Sequence, residues 1–406
     1  MARVELKLRD MPRLYRRGLL AVFVIAVGVR LAVVLAWGPR LGIDSQNYLA
    51  QGQEILRQGP LSFLSFAAEQ SPLYSLLFAL CAAVAGPHAD WAIGIVQAVL
   101  GGLIALILAS FTTLATRDPL AGVLTGAIAA IHVPFVFWSV YVLTDTLLLC
   151  LLALSAWLIA KLPRARWPLL VGTVTSIGLL LLVLTRRTNV LASSALLLLA
   201  AGLAASRRRA LLGLAIPILV GLALLGTGIL RARTGSTLGD RAEAYAWQAV
   251  YMGLQWTEQG RATEGVDIHL STIGDDAERG AFYRDQSLSW VRADPGYFFI
   301  QADRKLKVLW APFLPEDSTA HKLINGLYLV PLYALALLGW FVSRRNGPFL
   351  AITTTGVLVF TLVCVITFVD YDQRYRLPAE LFLIPLSAVG LVRVLASINQ
   401  TRGTIS

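Results

Sequence analysis

The chain has 406 residues, 57% of them hydrophobic and 15% charged, and its mean hydropathy is +0.68. That balance excludes a water-soluble domain of this size and predicts an all-α polytopic membrane protein. The net charge of +11 does not argue for nucleic acid, because the basic residues fall in short clusters between apolar runs, as membrane topology requires. Cys81, Cys150 and Cys364 all lie inside apolar segments, so the sequence holds neither a disulfide framework nor a metal-ligand spacing.

The first apolar run, 18–37, follows Arg3, Lys7, Arg9, Arg13, Arg16 and Arg17, but it is too long for a signal peptide and no small-residue cleavage pattern follows it. It contains Arg30, which at bilayer depth costs at least ~2.5 kcal/mol unless it snorkels or finds a partner. Next comes Asp44-Ser45-Gln46-Asn47-Tyr48. On a helix starting at Asp44, Tyr48 lies one turn on, so acid and phenol share a face. Asp44 is therefore either a helix N-cap or a reactive carboxylate at a membrane surface, and the two roles are compatible.

The stretch 72–86 begins with Pro and ends at Gly-Pro, and fits a membrane-parallel helix in the first outer loop better than a span. Further spans are predicted at 90–114, 119–138, 143–160, 168–185, 188–205, 210–230, 321–342, 348–368 and 377–396, about ten in all with the first. Leaving 72–86 out of the count puts the basic N-terminus, Arg117, Lys161/Arg164/Arg166, Arg207-Arg208-Arg209, Arg344-Arg345 and Arg402 on the cytoplasmic side. Both termini are then cytoplasmic, in a multi-pass protein of the inner (plasma) membrane. The outer face collects the loop 38–89, the connection from Trp138 to Asp145, the Arg186-Arg187 turn, the region 231–320 and Asp370 to Arg376. The chain thus divides into an N-terminal transmembrane module, 1–230, a small outer-face region, 231–320, and C-terminal transmembrane helices, 321–406. No internal repeat of the kind common in transporters is found.

Three outer features join Asp44 as candidates. Asp145 opens a span, where an N-cap is the alternative role. Arg186 and Arg187 stand on the side the positive-inside bias disfavours, and a guanidinium pair there suits an anionic ligand, since its forks match phosphate oxygens. Arg374 and Arg376, in Asp370-Tyr371-Asp372-Gln373-Arg374-Tyr375-Arg376-Leu377-Pro378, lie where interfacial anchors are also common.

In this order, these features resemble the polyprenyl-phosphate-dependent glycosyltransferases of the GT-C superfamily, near the bacterial relatives of protein mannosyltransferases and the aminoarabinose transferases. The similarity runs from Arg30 to Asp44, Tyr48, Ala50 and Gly59, then to Ser71-Pro72-Leu73-Tyr74-Ser75-Leu76, Ser139 through Thr144-Asp145, and Leu184-Thr185-Arg186-Arg187-Thr188. It ends with Val291 to Phe298, Lys305 to Trp310 and Arg374-Tyr375-Arg376-Leu377-Pro378. Departures are Ser45 in place of a second acid, Arg187 in place of a Pro, and Ser71 in place of the first Pro of a Pro-Pro-Leu element.

The resemblance implies an inverting enzyme of the cell envelope that moves a sugar from a polyprenyl-phosphate donor to an acceptor hydroxyl on the outer face. Asp44 would be the general base, Arg186 with Arg374 or Arg376 would neutralise the departing phosphate, and Arg187 would be a further substrate-binding residue. Tyr48 and Tyr74 would line the sugar or lipid head, and Asp145 would bond sugar or acceptor hydroxyls. The partners implied are the lipid-linked donor, a glycan, lipid or protein acceptor, and membrane lipids, with no nucleic acid. No cofactor is required by this chemistry, and a divalent metal between Asp44 and Asp145 is the minor alternative. A lipid-sugar flippase and an O-antigen ligase or polymerase are the rival functions.

Overall fold

The computed structural model describes the chain except for residues 1–12, 43, 61, 64–70, 227–237, 256–274, 315–316, 368–373 and 404–406. Among the described residues the structure is helical, apart from one isolated parallel bridge between Arg40 and Tyr141. The helices are α1 (Arg13–Trp37), α2 (Ser45–Gln58), α3 (Pro72–Ala85), α4 (Ala89–Thr116), α5 (Pro119–Ile131), α6 (Val133–Trp138), α7 (Asp145–Lys161) and α8 (Pro168–Thr185). They continue as α9 (Asn189–Leu203), α10 (Arg208–Gly226), α11 (Leu238–Leu254), α12 (Asp276–Ala293), α13 (Pro295–Trp310), α14 (Thr319–Val342), α15 (Gly347–Ile366) and α16 (Leu377–Gly403).

Seven helical stretches among the described residues are long and apolar enough to cross a membrane, and α5 and α9 are shorter apolar helices. Their outward faces stay apolar, with Leu14, Leu20 and Leu35 of α1 and Leu198 of α9 among the exposed residues. Such a surface suits lipid rather than water. The protein is a polytopic membrane protein. Within the bundle, small residues let backbones meet. A Cβ at Gly339 on α14 would overlap the Leu386 carbonyl of α16, and one at Gly390 would overlap the Leu335 carbonyl.

Two predicted elements differ in detail. The run 119–138 divides into α5 and α6 at His132. Pro134 is the cause, because it has no N–H for the Ala130 carbonyl one turn back. Arg30 supplies the missing donor: its Nη1 bonds Ala130 O at 2.9 Å and its Nη2 bonds Ala129 O at 3.3 Å. At 1% exposure Arg30 does not snorkel; it serves a broken helix end inside the bundle. The stretch expected to be a membrane-parallel helix is α3, and only the 3-10 turn Gly86–His88 separates it from α4, so the two make one apolar stretch of 45 residues.

The connections between helices segregate to two ends. At one end Tyr15 bonds Thr113 at 2.8 Å, Arg164 donates to Leu114 O at 2.9 Å, Asn346 to Ala115 O at 2.8 Å and Arg207 to Ala165 O at 3.2 Å. These bonds gather the basic connections around Arg117, Arg164, Arg207 and Arg344-Arg345. The described parts of 231–320 are helical: α11 and α12 pack through Tyr251, whose ring stacks on Trp290 at 5.0 Å, and Tyr297 of α13 donates to Leu254 O at 2.9 Å. His269 and the Asp370–Asp372 part of the last loop lie outside the described residues.

Candidate functional site

At the end opposite the basic connections, backbone bonds fasten two loops together. Arg40 N donates to Val140 O at 3.0 Å and Val142 N to Arg40 O at 2.8 Å. Ser45 tightens the join: its Oγ accepts from Gly42 N at 2.8 Å and donates to Val142 O at 2.7 Å. Gln97, wholly buried in α4, supports the second loop by donating to Ser139 O at 2.9 Å and Tyr141 O at 2.8 Å. The position where the resembling family carries a second acid thus holds a loop clamp.

This brace brings both candidate acids to one place. Asp44 precedes α2, but its side chain makes no capping bond. Its Oδ2 instead faces Arg374 Nη2 at 3.6 Å, and the carboxylate is 29% exposed. Asp145, at the start of α7, is 3% exposed; Arg186 Nη2 lies 3.2 Å from its Oδ1 and Arg374 Nε 3.9 Å from its Oδ2. Arg186 also donates to Thr144 Oγ1 at 3.3 Å. The two guanidiniums flank the Tyr375 ring at 5.0 and 5.3 Å, and Arg374 also lies over Trp138 at 5.7 Å. Four charged groups from four distant segments therefore share one cluster.

At Arg186 burial and the neighbouring Arg374 are together outweighed by the acid and phenols beside it. Burial alone would lower the pKa of Arg186, yet Asp145 and Tyr375 carry it above its ordinary value, so the guanidinium stays charged. Burial, aided by the Asp44 charge, pushes the Tyr48 phenol up to about 12. The Tyr48 phenol therefore keeps its proton at neutral pH.

The other predicted site residues divide. Tyr48 and Tyr74 are buried and meet edge to face at 5.2 Å, and Tyr74 donates to Gln97 at 2.8 Å. Tyr48 lies near enough to the cluster to feel the charges of Asp44, Arg186 and Asp145. Arg187 is half-buried in the turn after α8. Arg376 is not brought to the cluster: its Nε lies 2.5 Å from Glu380 Oε1, and its Nη1 donates to Leu309 O and Ala311 O at 3.2 and 2.6 Å. Those bonds commit it to the protein. No group of three or more His, Cys, Asp or Glu residues placed to hold a metal occurs among the described residues. Gln97, Ser45, Trp138, Tyr375, Glu380 and His132 were not singled out as site residues from the sequence. For Gln97, Glu380 and His132 a signal existed, since each is a polar group inside an apolar run.

No protein-family model matches the sequence, and no curated protein matches it significantly. Among solved structures the fold is similar to the archaeal oligosaccharyltransferase AglB from Archaeoglobus fulgidus, in complex with an inhibitory peptide and a dolichol-phosphate. The TM-score is 0.51 at 12% identity, and the match covers 97% of this chain and 51% of that one. The chain therefore spans about half the length of that protein, and what the two share is a helical polytopic fold.

Proposed function

We propose that this protein is an integral-membrane inverting glycosyltransferase that moves a sugar from a polyprenyl-phosphate donor to an acceptor hydroxyl. The observation that carries the reading is the single cluster in which the partly exposed Asp44 faces Arg374, while Arg186 stands behind on the buried Asp145. Inverting transfer needs a base on the acceptor side of the sugar and positive charge where the lipid phosphate departs. Asp44 takes the hydroxyl proton. Arg374, 3.6 Å from Asp44 and 3.9 Å from Asp145, brings the positive charge that a departing lipid phosphate requires. The dolichol-phosphate bound to the structural neighbour fits a donor of this kind.

A flippase is the rival, but transporters place costly charges near the midplane, whereas this cluster sits where helices begin and end. Purified protein in detergent should release polyprenyl phosphate from its sugar-linked form when an acceptor is supplied, with no second compartment. Binding without release under all acceptors would favour transport instead.

The same reading places the cluster and α11 to α13 outside the cell and the basic connections inside. A cysteine introduced at exposed Ser289 of α12 should react with an impermeant thiol reagent in intact cells, and one at exposed Arg166 should not. The reverse pattern would remove the lipid donor's outer-leaflet chemistry.

A further inference from the structure

Arg374 belongs to the 3-10 turn Arg374–Arg376, directly ahead of α16. What fixes that turn lies deeper. Glu380, one helical turn on and wholly buried, receives three groups: Arg376 Nε at 2.5 Å on Oε1, the Tyr333 hydroxyl at 3.4 Å on the same oxygen, and His132 Nε2 at 2.9 Å on Oε2. His132 is in turn held by the Tyr328 hydroxyl, 2.7 Å from Nδ1. Four segments thus converge on one carboxylate: the α5–α6 break, α14, the turn and α16 itself.

A second anchor runs the opposite way. Arg376 donates to Leu309 O and Ala311 O, at the C-terminal end of α13. Lys305, on α13 and 1% exposed, donates to Val365 O at 2.9 Å and Thr367 O at 2.6 Å, at the C-terminal end of α15. Each cation fills carbonyls that a helix end leaves without partners. The two segments leading into and out of the α15–α16 loop are therefore each tied to α13.

We infer that Glu380 is a positioning residue which, through Arg376 and the reciprocal anchor of Lys305, sets where the Arg374 guanidinium stands relative to Asp44 and Asp145. The inference rests on the proposed function in taking Arg374 to meet the lipid phosphate. Glu380 itself touches none of the cluster. Its effect travels through a turn of three residues, so loosening Arg376 frees the backbone that carries Arg374.

The test has two arms on the full-length protein. In the first, a short bifunctional thiol reagent bridges the pair Asp44→Cys and Arg374→Cys; the native cysteines are buried and stay silent. Adding Glu380→Gln should slow bridging about fivefold or more, within the span of coupling for residues of one network. Equal rates would overturn the inference and leave the proposed function standing. In the second, undecaprenyl phosphate binding is measured for wild type, Glu380→Gln, Arg374→Gln and the double variant. Glu380→Gln should weaken binding about tenfold in wild type and have little effect once Arg374 is gone. A purely structural Glu380 gives the same loss in both backgrounds, which would overturn the inference. If wild type binds no undecaprenyl phosphate, the proposed function falls while the bridging arm still judges the positioning. Should Glu380→Gln not accumulate, Arg376→Gln breaks the contact through which Glu380 acts on the turn and is read by the same bridging rate, slowing supporting the inference and no change overturning it.

Discussion

Asp44→Asn should lower turnover by about 10²–10⁴ while leaving expression and donor binding near wild type, the loss typical of a missing general base. The Asp44 side chain makes no capping bond to α2, so Asn has no structural bond to lose or preserve there. Its ion pair with Arg374 is partly exposed and 3.6 Å long, and pairs of this kind contribute about 0–1 kcal/mol. Stability should therefore barely change in Asp44→Asn or Asp44→Ala, while both lose rate. Steady-state turnover and thermal unfolding of the two variants, measured together, decide the matter. A fully active Asp44→Asn would remove Asp44 as the base, and Asp145, buried against Arg186, would be poorly placed to replace it.

Arg186→Ala should weaken use of the donor by about 2–4 kcal/mol, the range for truncating one partner of a buried, hydrogen-bonded charge pair. Part of that cost is Asp145, which at 3% exposure loses its nearer cation and keeps only Arg374 at 3.9 Å. Arg186→Lys keeps the charge but loses the planar guanidinium whose Nη2 reaches both Asp145 and Thr144 and which lies over the Tyr375 ring. Donor affinity of the Lys variant should fall between wild type and Ala; full retention would show that a point charge suffices. Arg376→Ala serves as the contrast. Its bonds all go to Glu380 and to backbone carbonyls, so its first effect should be on stability and on the placement of Arg374.

Periodicity and charge made much of the bundle readable. Apolar runs of spanning length need no partner to be recognised, because lipid forces every backbone group to be satisfied within the helix. The helices α1, α4, α7, α8, α14, α15 and α16 follow those runs closely. The break at His132 did not show, although Pro134 was in view, because a Pro near the end of a run reads equally as a kink or as a terminus. The candidate acids and arginines could be noticed one by one as costly charges. Which of them meet could not, since Asp44 and Arg374 lie far apart in sequence and only the folded helices bring them together.

From the sequence alone follow the helical membrane class, the gathering of basic connections away from Asp44, and the candidacy of Asp44, Asp145, Arg186 and Arg374, because hydropathy and charge cost belong to each segment by itself. Tertiary structure decided the roles within that set. Arg374 and Arg376 are two residues apart in a motif that treats them alike, yet one faces the acids and the other is buried on Glu380. Arg30, open in the sequence between snorkelling and finding a partner, proves to fill carbonyls left without donors, and Ser45 read as a lost acid and proves to bind two loops together. A side chain's partner depends on which distant backbone the packing brings within about 3 Å, and no local pattern carries that information.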